Sequence, residues 1–144
     1  MLKRPELVLA AMAPAKGQLH TPVQVQKLFF LIDRNIPTAV GGPHFAFRPY
    51  SYGPFDRAVY EELEALAAAG LCEVVKHQTW SSYRLTPLGQ EQGTRALASL
   101  GEMARSYIQH VSEFVRSHTF VELVSAIYKA YPEMKANSVF ETAK

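Results

Sequence analysis

"LCEVVKHQTWSSYRLTPLG", residues 71–89, decides how the chain is read. Two short apolar runs, "LCEVV" and "YRL", flank the polar interval "KHQTWSS", the pattern of a β-hairpin. Alternation of Cys72 with Val74 turns the cysteine inward, as a buried and inert thiol. Thr86 then caps a new helix whose first turn holds Pro87. A hairpin feeding directly into a helix takes its meaning from what precedes it.

Upstream, "HTPVQVQKLFFLIDRN" starts with the same device. Thr21 caps, Pro22 takes the first helical position, and Gln24 completes a capping-box spacing. Val25, Leu28, Phe29 and Ile32 form one face and Phe30 and Leu31 widen it, so this helix is largely buried. An earlier helix is predicted over Pro5–Ala13, stopped by Pro14. "IPTAVGGPH" reads as a loop. In "HFAFRPYSY" Phe45 and Phe47 alternate against Ala46 and Arg48, as in a short half-buried strand ended by Pro49. From Pro54 the period changes: Phe55, Val59, Leu63 and Leu66 share a helical face that stops at Gly70. The expected fold is mainly α with a small β-hairpin wing (α+β). Helix, helix, helix, hairpin, helix is the order of a winged helix-turn-helix-like core, with one extra short strand before the third helix.

The last third reads as helical. Leu97, Leu100, Ala104, Tyr107, Val111 and Phe114 are spaced 3-4-3-4-3, a heptad seam weakened by Gly93 and Gly101. Either it packs against the following helix within the monomer or it forms a homodimer seam over residues 97–114. A second capping box, Thr119 to Glu122, launches a helix with Phe120, Leu123, Val124, Ile127 and Tyr131 on one side. Pro132 ends that helix, and "EMKANSVFETAK" is a turn or a tail. Residues 1–92 thus form the winged-helix-like core and 93–144 a helical extension, within a single domain.

Composition bounds the function. A chain of 144 residues can bury roughly two thirds of its unfolded surface. A net charge of +2 does not by itself imply nucleic acid or an acidic membrane. Cys72 is the only cysteine, which excludes an internal disulfide. The apolar run Leu7–Met12 is too short for a signal peptide and is preceded by Pro5 and Glu6, so the expected location is cytoplasmic, with no membrane contact. Histidines 20, 44, 77, 110 and 118 are scattered without ligand spacing. No nucleophile order or phosphate loop is present, so no catalytic residue, metal or cofactor is expected.

"RPYSYGPF", residues 48–55, offers shape rather than chemistry. Gly53 permits a backbone closed to other residues, and Pro54 is expected to pre-set the next helix. Tyr50, Tyr52 and Phe55 either plug the core as a strand-to-helix corner or supply a rigid aromatic contact surface for another protein, and both hold at once if Phe55 turns inward and a tyrosine outward.

"VQVQKLFFLID", "FAFRPYSYGPFDRAVYEELEALAAAGL" and "YRLTPLGQE" together resemble the Panacea (SocA-like) antitoxin domain and its small YwgA-like bacterial relatives. The resemblance covers roughly residues 20–92, with "LVSAIYKAYPEMKANS" similar to the YwgA-like group. It implies a protein-binding domain that neutralises a partner, such as a toxin encoded nearby. By motif position Gln26, Lys27, Tyr52, Gly53 and Pro54 carry it. The alternative is a DNA-binding regulator contacting the backbone through Lys76, His77, Trp80 and Arg84 of the wing. Its third helix carries Asp56, Glu61, Glu62 and Glu64 against Arg57, which suits phosphate poorly.

Overall fold

The computed structural model describes residues 1–140; the last four residues of the expected tail lie outside them. The chain is mainly helical, with two small antiparallel hairpins. Helix α1 (Arg4–Met12) runs into a 3-10 turn at Ala13–Ala15 that contains Pro14. Helix α2 (Pro22–Asn35) begins with the predicted capping box: Gln24 N donates to Thr21 Oγ1 at 3.3 Å, and Thr21 N donates to Gln24 Oε1 at 2.9 Å. Val25, Leu28, Phe29 and Ile32 are fully enclosed, which makes α2 the centre of the core.

Residues 45–56 depart from the expected strand and helix start. Phe45 and Phe47 are not in a strand; Phe45 packs on Phe29 ahead of it. The strands are β1 (Arg48–Tyr50) and β2 (Gly53–Phe55), a hairpin around Ser51-Tyr52 in the register Arg48↔Phe55, Pro49↔Pro54, Tyr50↔Gly53. The opposed prolines cannot donate, so any ladder bonds fall to the flanking pairs. Pro54 and Phe55 therefore do not open a helix. Asp56 does: its carboxylate accepts from Ala58 N at 2.9 Å and caps α3 (Arg57–Ala68). Phe55 is half-buried and stacked on Tyr50 rather than plugged into the core.

Strands β3 (Cys72–Lys76) and β4 (Ser81–Leu85) form the predicted second hairpin, and Cys72 is buried. Burial pushes its thiol up to about 11, as an inert cysteine requires. Thr86 caps α4 (Pro87–Ala98) through Gly89 N at 3.1 Å. This helix runs unbroken across residues 92 and 93 and lies against α1. Gly93 does not weaken a seam. It is the crossing point, because a Cβ there would stand 2.4 Å from the Leu9 carbonyl oxygen.

The expected continuous heptad seam is two helices. After α4 the chain turns through Ser99–Gly101, and α5 (Glu102–Ser117) starts with Gly101 at its N-cap. The buried stripe of α5 is Ala104, Ile108, Val111 and Val115, packed on α2 and α1. Leu97 and Leu100 are buried too. A dimer seam through 97–114 would have to open the chain's own core, so the seam is internal, and its main partner is α2 rather than the following helix. Helix α6 (Phe120–Ala130) has the predicted Thr119–Glu122 box, but buries Leu123, Val124, Ile127 and Tyr128. Phe120, predicted on that face, is 43% exposed. A 3-10 turn at Pro132–Lys135 follows.

Candidate partner-binding cleft

The hairpin β1–β2 is held against α2 by two neighbouring side chains. Gln26 inserts its amide against Asp56 as a third strand would: Nε2 donates to Asp56 O at 3.0 Å, and Oε1 accepts from Asp56 N at 2.9 Å. Lys27, one residue on, donates its amine to the Tyr52 carbonyl in the turn. Gly53 follows that carbonyl with φ +108°, a conformation L side chains rarely adopt, and a Cβ there would approach Lys27 Nζ to 3.2 Å. From outside, Val139 N donates to Ser51 O at 3.0 Å and Asn137 Nδ2 to Pro49 O at 3.3 Å. The turn is pinned on two sides.

Between this hairpin, the start of α2, the start of α6 and the tip of the β3–β4 hairpin lies a cleft of about 730 Å³. Tyr50, Tyr52, Trp80 and Phe120 surround it, exposed by 56%, 43%, 45% and 43%. Tyr52 meets Phe120 edge-on at 5.2 Å, and Trp80 stacks on His77 at 3.9 Å. Rings held by neighbouring rings present large area at little entropic cost. Lys27, only 2% exposed, lines the floor. Burial lowers its amine from 10.5 to about 7.

The structure divides the predicted site residues. Tyr50 and Tyr52 face solvent at the cleft. Gln26, Gly53 and Pro54 are buried and line it from beneath, with Gln26 spent on Asp56. Of the wing residues, Trp80 reaches the same cleft, joining part of the two predicted sets in one place. Lys76 and His77 are exposed beside it, whereas Arg84 lies further along β4 in an ion pair with Glu73. Phe120, Val23, Tyr60 and His118 also line the cleft and were not legible as site residues. Only Phe120 carried a signal. The Thr119 cap places it at the first helical position, outside the buried turns that follow.

Acidic groups near the hairpin serve structure. Asp33 accepts from His44 N and Phe45 N, and Asp56 Oδ2 accepts from Ala46 N at 2.7 Å. Behind the cleft wall His20 is fully buried. Its backbone bridges Tyr83, its ring nitrogens make no well-formed hydrogen bond, and burial drives it down to about 4, helped by the nearby Arg116 charge and opposed by the Tyr83 and Gln18 backbone groups close to the ring. The chain matches no protein-family model, no curated protein and no solved structure.

Proposed function

We propose that the chain is a non-enzymatic protein-interaction module with a winged-helix-type core, comparable in role to a toxin-neutralising antitoxin domain. It takes a segment of its partner into the aromatic cleft. One observation carries this reading: four large aromatic side chains, from two hairpins and α6, are exposed around a single concave surface. Pre-ordered tyrosine and tryptophan at a concave site are the usual anchors of protein interfaces. Gln26, Lys27, Gly53 and Pro54 act beneath it by fixing the turn that presents Tyr50 and Tyr52.

A DNA-binding regulator is the second reading, favoured by Lys76, His77 and Trp80 together at an exposed hairpin tip. Against it stand the exposed acids Glu61 and Glu64 on α3 and the pairing of Arg84 with Glu73. Affinity capture of the tagged chain from nuclease-treated lysate separates the two. The first reading expects a stoichiometric protein lost with Tyr52→Ala or Trp80→Ala and retained with Lys76→Ala plus Arg84→Ala. Nuclease-sensitive retention of DNA that falls steeply with salt would replace it with the second.

A further inference from the structure

Lys27 poses a problem of charge. Its side chain is almost fully enclosed, and among the described residues its amine has a single acceptor, the Tyr52 carbonyl, although an ammonium carries three donors. No described carboxylate forms an ion pair with it. Among the described residues that line the cleft none is acidic, and Lys27 is the only lysine or arginine. A buried cation is normally paired with an anion, since its desolvation is otherwise uncompensated. The α2 start (Thr21–Gln24) and the α6 start (Phe120) open on the same cleft and add positive potential there.

Resting on the interaction reading, we propose that the cleft recognises an acidic side chain of its partner. An Asp or Glu in an extended segment enters between the aromatic side chains, and its carboxylate accepts from Lys27 Nζ while apolar neighbours cover Tyr52, Trp80 and Phe120. A nucleic-acid strand fits less well. Such grooves follow the backbone with a row of cations between stacking side chains, and here Lys27 is the single lysine or arginine among the described lining residues.

The test is selection from a random displayed heptapeptide library on the full chain and, in parallel, on Lys27→Met and Tyr52→Ala. Wild type is expected to enrich peptides with Asp or Glu at one fixed position, and Lys27→Met to lose that preference while still taking apolar peptides. A capped synthetic peptide from the wild-type pool should bind at least tenfold more tightly than its Glu→Gln twin, and should move the Lys27 13Cε resonance toward that of an ammonium. The 13Cε measurement needs no variant, so the proposal stays testable if Lys27→Met does not fold. Enriched peptides without an acid, or equal binding of the Glu and Gln twins, overturn this inference and leave the interaction module standing. Displacement of the peptide by a short oligo-dT at moderate salt assigns the amine to phosphate and overturns it also. If no peptide is enriched, the inference falls. If capture also yields no Tyr52-dependent protein, the interaction reading falls with it.

Discussion

Replacing Lys27 by methionine tests the central physical feature of the cleft, an amine buried without an anion among the described residues. The unfolded chain holds this proton up to 10.5, whereas the folded chain releases it at about 7. Between those values the unfolded state binds more protons, so stability rises with pH across the window. Below pH 7 the lysine is charged in both states, and the full cost of burying the charge is present and nearly constant. Linkage gives wild type about 2 kcal/mol more stability at pH 9 than at pH 7, out of about 5 kcal/mol over the whole window. Cys72, pushed up to about 11, works in the opposite sense, but only above about pH 8, and its contribution cancels between wild type and variant. In Lys27→Met the Tyr52 carbonyl loses its donor, at a cost of about 1–3 kcal/mol, so the absolute change at pH 7 combines opposing effects. The slope does not. Urea denaturation at several values from pH 6.5 to 9, with both proteins in the same buffers, should show a midpoint that rises with pH for wild type and a nearly flat one for the variant, so that the difference between them grows with pH. Equal slopes in the two proteins would refute the reasoning, since Lys27 would then keep its ordinary pKa and lie in water.

Three further outcomes are expected. Gly93→Ala would gain about 1 kcal/mol of helix propensity on an open surface, yet it should destabilise by about 2 kcal/mol or more, because its Cβ lands 2.4 Å from the Leu9 carbonyl oxygen; thermal unfolding gives the sign directly. Gln26→Leu leaves Asp56 N and O without their partner and should cost about 2–4 kcal/mol, read from urea midpoints, with faster amide exchange across residues 48–56. His20, down to about 4 when folded, makes stability fall as pH drops from 6.5 toward 4, by up to about 3 kcal/mol, and His20→Phe should flatten this acid limb in the same denaturation assay.

Near-neighbour signals determined most of the elements before any fold was known. The Thr-Pro starts at residues 21 and 86, the Thr119–Glu122 box, the stop at Gly70 and the Cys72–Leu85 hairpin all depend on residues a few positions apart, where capping geometry and side-chain period act directly. The "YSYGPF" stretch could not be read that way. Pro54 suits a helix start as well as an edge strand, and the choice fell to Gln26 and Lys27, which lie about thirty and twenty-five positions from their backbone partners at Asp56 and Tyr52. The seam after Leu97 failed for a related reason. A spacing of three and four cannot tell one helix facing a second copy from two helices facing α2, and only the turn at Ser99–Gly101 with the core behind Ile108 and Val115 decided it. The cleft itself belongs to tertiary structure. Tyr52, Trp80 and Phe120 line one cleft because α2, both hairpins and α6 come together there, and Lys27 is buried in the same step. No local pattern holds that information, because burial is a property of what surrounds a residue and not of its neighbours in the chain.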